Sequence, residues 1–84
     1  MKRAVALSYM PENGDRAPKV VAKGKDGFAY RIIQQAIENE IPILEDNQLV
    51  LILEQLKIND EIPDNLYNAV VEVFVFLIKS RSSQ

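Results

Sequence analysis

The chain has 84 residues, of which 48% are apolar and 26% are charged, and these proportions are typical of one soluble globular domain. It contains neither cysteine nor histidine, so disulfides, thiolate metal sites and an imidazole general base are excluded. We therefore predict a single domain over residues 1–84 with no enzymatic activity, no cofactor and no bound metal. The polar tail from about residue 80 to 84 is expected to be disordered.

Charge is divided between the two parts of the chain, although the net charge is only −2. Residues 1–31 carry seven Lys/Arg against three Asp/Glu, whereas residues 32–84 carry three against nine. Such a division favours oriented docking to a charged protein partner. Nucleic acid is not indicated, because the basic residues lack interleaved aromatics. No apolar run has the length of a membrane span or the form of a signal peptide, so a cytoplasmic protein is expected.

The first part of the chain predicts a hairpin followed by a helix. Residues 4–10 alternate small and large side chains as a strand does, and residues 19–23 contain a β-branched pair after a loop of turn formers. Gly24 is expected to supply backbone angles that other residues avoid, and Asp26 to accept hydrogen bonds from the helix N-terminus. Apolar residues spaced by three and four predict a helix that ends near Asn39.

The second part predicts one more strand and two helices. Pro42 forces the residue before it into an extended conformation, so residues 41–44 are predicted to form a strand parallel to the second, after a right-handed crossover. A capped helix over residues 48–57 follows, and a last helix begins at Pro63. The expected fold is an α/β domain in which a small mixed sheet of about three strands is flanked by three helices.

The last two helices carry more apolar residues than one buried face needs. In the first of these helices, Val50 and Leu51 lie outside the apolar stripe that would be buried. In the last helix, Val75 and Phe76 do so. A domain of this size has little interior in which to bury them. Two interpretations remain open, namely burial against neighbouring helices and an exposed patch for a partner or for self-association.

Three lysines lie in the predicted second strand or just after it, and they are Lys19, Lys23 and Lys25. They are either a solvated edge or a docking surface for an acidic partner. A phosphate site in this stretch is disfavoured, because the Walker spacing is absent and Asp26 would occupy the helix N-terminus.

Three separated stretches resemble, in order and in spacing, a known family. They are Val20-Val21-Ala22-Lys23-Gly24-Lys25-Asp26, Ile41-Pro42-Ile43-Leu44-Glu45-Asp46, and Asp60-Glu61-Ile62-Pro63 with Leu66-Tyr67 and Ala69-Val70. They resemble the C-terminal cytoplasmic domain of FlhB/YscU-type switch proteins of flagellar and virulence type III secretion. The resemblance runs from about Ala4 to Lys79.

The resemblance implies a small α/β domain that binds export substrates and a ruler protein and switches the class of substrate exported. In the family, an Asn-Pro-Thr-His loop cleaves its own backbone ahead of an Ala-Val-Ala-Leu-like strand. Residues 4–7 resemble that strand, but Met1, Lys2 and Arg3 stand where the loop would end, so no self-cleavage is expected. The family's preceding strand is also expected to be missing, which would leave a sheet edge free to accept a strand from another chain.

The family's Pro-Leu-Ala-Arg stretch aligns with Gln48-Leu49-Val50-Leu51, where only Leu49 is kept and Leu51 replaces the arginine. Leu49, Val50 and Leu51, with the three lysines, are the predicted partner-binding residues. No catalytic or metal-binding residue is assigned.

The resemblance thus predicts a non-enzymatic component of flagellar protein export, cytoplasmic and peripheral at the export apparatus. It would stand in for, or modulate, the cleaved C-terminal domain of FlhB in substrate recognition and specificity switching. The expected partners are the export-gate membrane protein and export substrates or their chaperones. The alternative is a soluble regulatory adaptor that kept the fold and left the secretion system.

Overall fold

The described part of the chain contains two strands, three α-helices and one short 3₁₀ turn. The structure, a computed structural model, describes residues 2–82 and their side chains as far as Phe76. The elements are β1 (Arg3–Ser8), a 3₁₀ turn (Pro11–Asn13), β2 (Lys19–Lys25), α1 (Gly27–Glu38), α2 (Asn47–Leu53) and α3 (Asp64–Ser82). β1 and β2 pair as an antiparallel hairpin. The predicted α/β class and the three helices are confirmed.

A β-bulge at Val21 gives the hairpin two differently built faces. The register shifts between the pair Ala6–Ala22 and the pair Leu7–Val20, so Val21 has no partner on β1. Because side chains alternate along each strand, the large side chains of Leu7 and Val20 lie on one face. The small side chains of Ala6 and Ala22 lie on the other.

The face with large side chains carries the hydrophobic core. Val20 is fully buried, and it clusters with Leu53 of α2, Val70 of α3 and Ile62 just before α3. Each such side chain contributes about 1.5–3 kcal/mol when it leaves water. Partly buried residues complete the core, and they are Val5, Leu7, Leu49, Leu56, Leu66 and Phe74. α2 and α3 therefore cover this face.

The face with small side chains receives α1. Ala29 of α1 is fully buried, and α1 contacts both strands. A Cβ atom on Gly24 would lie 2.5 Å from the Cβ of Phe28, which is closer than two carbon atoms can approach. Gly24 is therefore glycine because the helix passes close to the strand. The prediction that it serves for its backbone angles was wrong, since its φ is not positive.

The positive φ at this joint belongs to Asp26, with φ 50° and ψ −113°. A side chain caps a helix from extended backbone angles, and Asp26 does not have them, so its carboxylate accepts no hydrogen bond from α1. The predicted cap at Asp26 was therefore wrong. Asp46 has φ −148° and ψ 102°, and it caps α2 by accepting from the backbone N–H groups of Gln48 and Leu49 at 3.1 and 2.9 Å.

Residues 41–44 do not form the predicted third strand. They connect α1 to α2 without strand pairing, and their three large apolar side chains are 45–57% exposed. Part of the free edge of β2 is taken instead by residues 59–62. The Asn59 N–H donates to the Val20 carbonyl oxygen at 2.7 Å, and the Val20 N–H donates to that of Asp60 at 3.0 Å. The sheet is antiparallel in the described residues, so the predicted parallel crossover was wrong.

Helix ends also differ from expectation. α1 ends at Glu38, near Asn39 as predicted, and Asn39 caps it, with the Asn39 N–H donating to the Gln35 carbonyl oxygen. α2 is shorter than predicted and stops at Leu53, because the chain then bends to bring Leu56 into the core. α3 continues to Ser82, so residues 80–82 are helical and not a tail, while residues 83 and 84 lie outside the described residues.

Replacing Gly24 with alanine is expected to lower the free energy of unfolding by about 1–3 kcal/mol, because the new methyl group overlaps Phe28 and pushes α1 off the hairpin. Gly27→Ala is the matched control. A Cβ at Gly27 meets no atom within 4 Å, so that variant is expected to be neutral or up to about 1 kcal/mol more stable. Urea unfolding measures both, and equal effects would contradict the close approach.

Candidate functional site

Cationic side chains of both strands converge on the C-terminal end of α2. The guanidinium of Arg3 forms an ion pair with the carboxylate of Glu54. The Lys23 ammonium donates hydrogen bonds to the carbonyl oxygens of Glu54 and Leu56 at 3.1 and 2.6 Å. A helix C-terminus has unpaired carbonyls and a partial negative charge, so cations stabilise it. This cluster anchors α2 to the hairpin.

The ion pair changes the acidity of both partners. The hydrogen bond from Arg3 lowers the pKa of Glu54 below its ordinary value of 4.5, and the positive charges of Arg3, Lys25 and Lys23 act in the same direction. The same hydrogen bond raises the pKa of Arg3. Glu54 is therefore ionised at neutral pH and completes the anchor.

A shallow cavity of about 410 Å³ opens beside the cluster and is lined by Lys23, Gly24, Lys25, Glu54 and Gln55. Small-molecule sites are mostly lined by apolar and aromatic side chains, and none lines this cavity. No group of side chains able to hold a metal ion occurs among the described residues. We assign no substrate to the cavity.

The three predicted lysines do not form one basic surface. Lys19 lies at the start of β2, about 20 Å along the strand from Lys25, and forms an ion pair with Asp15 at 3.7 Å. Lys23 is engaged by the end of α2. Lys25 is exposed beside the cavity. The structure separates these residues, and their role in docking stays a prediction.

The three predicted residues of α2 also face different ways. Leu49 packs against the core, Val50 is half-buried, and Leu51 is 47% exposed. Ile52, which the sequence reasoning did not select, is 48% exposed. Leu49, Val50 and Leu51 were predicted from the resemblance to the family. Which residues of α2 are exposed depends instead on which side of the helix packs against the hairpin.

Large apolar side chains are exposed on α2 and just before it. They are Ile43 and Leu44 just before the helix and Leu51 and Ile52 on it, and we call these four residues the α2 patch. Each is 45–48% exposed, and no charged residue lies between Asp46 and Glu54. Exposed apolar side chains of this size make the α2 patch a candidate for protein contact. Ile43 and Leu44 were missed because they were assigned to a paired strand.

The fold is that of the C-terminal domains of type III secretion switch proteins. A mutated EscU/SpaS C-terminal domain matches with a TM-score of 0.86 over 93% of this chain and 96% of that one, at 26% sequence identity. Residues 1–77 match the profile described as the FlhB HrpN YscU SpaS Family. The chain belongs to this family, and the resemblance seen in the sequence is confirmed.

Two relatives differ greatly in length. The YlqH protein of Bacillus subtilis (strain 168) is 43% identical over 79 residues, covering 94% of this chain and 84% of YlqH. The flagellar biosynthetic protein FlhB of Escherichia coli (strain K12) is 44% identical over 75 residues, which are 88% of this chain but only 19% of FlhB.

Within residues 2–82, none of the helices combines the length and the apolar character needed to cross a bilayer.

Replacing Lys23 with methionine removes two hydrogen bonds to the end of α2 and keeps the aliphatic part of the side chain. We expect the free energy of unfolding to fall by about 1 kcal/mol. Lys25→Met is the control, because the Lys25 ammonium donates no hydrogen bond to any described residue, and its effect is expected to stay below about 0.5 kcal/mol. Urea denaturation of both variants tests this, and equal losses would contradict the anchor.

The Arg3–Glu54 pair predicts a pH-dependent contribution to stability. Because the pKa of Glu54 is lower in the folded chain, the unfolded chain takes up the proton first as the pH falls, and folding is then disfavoured. The advantage of the wild type over Glu54→Gln is expected to be constant near neutral pH and to decline as the pH falls toward and below 4.5, the ordinary pKa of Glu. Urea unfolding between about pH 3 and pH 7 measures it. An advantage that grows in acid would refute the assignment.

Proposed function

We propose that this chain acts in type III protein export as a counterpart of the C-terminal domain of FlhB. It contributes to recognition of export substrates and to switching the class that is exported, and it acts by binding rather than by catalysis. It works peripherally at the cytoplasmic side of the export apparatus, with the export-gate membrane protein and export substrates or chaperones as partners. The supporting observation is the match to an isolated EscU/SpaS C-terminal domain, which extends over nearly all of both chains.

The α2 patch is the proposed surface for these partners. α2 is held at both ends, by the Asp46 side chain at its start and by Lys23 at its end. A patch on a helix fixed in this way is ordered before a partner arrives, so binding costs little conformational entropy. Its apolar side chains suit the apolar face of an amphipathic segment in a substrate or in the gate.

β1 offers a second contact to the gate. β2 pairs with one edge of β1, and no backbone group of a described residue pairs with Ala4–Leu7 along the other edge. These four residues include neither a charge nor a proline, the devices that protect an edge from further pairing. An extended segment of the gate protein would therefore add to the sheet as a third strand.

The test is a binding titration against the N-terminal gate part of a FlhB protein from which the C-terminal domain has been deleted, with rescue of motility in the same strain. Leu51→Asp and Ile52→Asp are expected to weaken binding by about tenfold or more, because each places a charge in the apolar contact. Ile58→Asp is the matched control. Ile58 is 46% exposed but lies in the connection between α2 and α3, so its effect is expected to stay below about threefold.

Amide hydrogen exchange in the same titration examines the β1 edge, where binding is expected to slow exchange at Ala4–Leu7. Binding without slower exchange at these residues would exclude the strand contact, and the α2 patch would remain as the proposed binding surface. Absence of both binding and rescue, in a strain that full-length FlhB rescues, would favour the adaptor function instead.

A further inference from the structure

The outward side of α1 is an exposed ridge with opposite charges at its two ends. Ala29 is buried against the hairpin, so the residues on the other side of the helix point away from the domain. Arg31, Gln34 and Glu38 follow one another there at spacings of three and four, and all three are exposed. We call these three residues the α1 ridge.

Large apolar side chains flank the ridge. Tyr30 and Ile37 lie on one flank, about two helical turns apart, and are 63% and 59% exposed. Phe28 lies on the other flank and is 68% exposed. Cations already stack on both rings, with the Lys2 ammonium 5.8 Å from the centre of Tyr30 and the Arg31 guanidinium 6.0 Å from that of Phe28. Three such side chains on one short helix exceed the scattered exposure that is ordinary on a protein surface.

The charges of the ridge are not neutralised within the domain. The ion pairs among the described residues involve other side chains, so neither Arg31 nor Glu38 has an oppositely charged partner there. The surroundings extend this division of charge. Two cations, Lys25 before α1 and Lys2 over Tyr30, outnumber the one carboxylate at its start, Asp26, and Glu40 follows its end. The helix is therefore basic at its start and acidic at its end, on a surface that also presents apolar side chains.

We propose that two copies of this chain associate through α1, with the helices antiparallel about a two-fold axis. In this arrangement Arg31 of each copy meets Glu38 of the other, and Gln34 lies near the axis, where its amide can both donate and accept. The two-fold axis is perpendicular to both helices, so the equivalent flanks of the two copies lie on the same side of the interface and run in opposite directions. Tyr30 of each copy therefore packs on Ile37 of the other. Parallel helices would instead oppose Arg31 to Arg31 and Glu38 to Glu38, and like charges exclude that arrangement.

This interface is independent of the proposed function. It uses neither the α2 patch nor the free edge of β1, so a dimer would present two copies of each. Its failure would leave the export proposal unchanged, and failure of the export proposal would leave the dimer unchanged.

Sedimentation equilibrium over a range of protein concentrations tests the proposal. The wild type is expected to pass from the mass of one chain to that of two. Arg31→Glu and Glu38→Arg should each raise the dissociation constant by about tenfold or more, because each creates two like-charge contacts across the axis. The double variant R31E/E38R should return it to within about threefold of the wild type, because it restores both pairs with reversed sign.

Mixing the two single variants gives a sharper result. A dimer of either variant with itself places like charges opposite each other at positions 31 and 38. A dimer of one R31E chain and one E38R chain has opposite charges in both of these contacts. The mixture should therefore associate at concentrations where each variant alone does not. Arg16→Glu is the control for net charge. Arg16 lies in the connection between β1 and β2 and pairs with Glu61 rather than with a residue of α1, so this variant should leave the dissociation constant unchanged. A chain that stays monomeric at every concentration, or a dimer that responds equally to all these variants, would overturn the proposal.

Discussion

The interrupted pairing of β1 with β2 is the constraint on which the rest of the domain depends. The bulge at Val21 turns Val20 and Leu7 to one face and leaves alanines and Gly24 on the other. Because the first face is bulky, it anchors a core shared with α2 and α3; because the second is nearly flat, α1 can lie close against it. A hairpin too small to be stable alone is thereby covered on both faces.

The same pairing determines how the α2 patch is presented. Arg3 of β1 and Lys23 of β2 both contact the end of α2. At its start, the Asp46 carboxylate accepts hydrogen bonds from backbone N–H groups of the first turn. A helix as short as α2 would be marginal in isolation, so these contacts account for its order. The chain belongs to the FlhB HrpN YscU SpaS Family. In the proposed role in protein export, a rigid apolar contact would suit partners that arrive as flexible segments.

α1 and α2 lie on opposite faces of the hairpin, so their exposed sides point in different directions. α2 carries the apolar α2 patch. α1 carries the α1 ridge, which has an arginine near its start and a glutamate at its end. The chain is basic in its first part and acidic in its second. The exposed side of α1 shows the same order, with Arg31 ahead of Glu38. The two proposed contacts, with an export partner and with a second copy of the chain, would therefore use different surfaces and would not compete.

The sequence by itself determined the features that depend on neighbours in the chain. These are the hairpin, the periodic helix α1 with its end near Asn39, the capped start of α2 and the family, whose motifs are recognised by order and spacing. It also correctly located surplus apolar residues on α2, although not which of them are exposed.

Tertiary structure decided what depends on residues far apart. Lys23 serves the end of α2 because the fold brings it to Glu54, 31 positions away, and no local pattern predicts that contact. Gly24 is glycine because of the approach of Phe28, which is visible only when the helix is packed. Residues 41–44 have the composition of a strand, but a strand needs an edge to pair with, and residues 59–62 take part of the edge of β2. The exposure of Ile43, Leu44 and Ile52, and with it the candidate binding surface, follows from that arrangement.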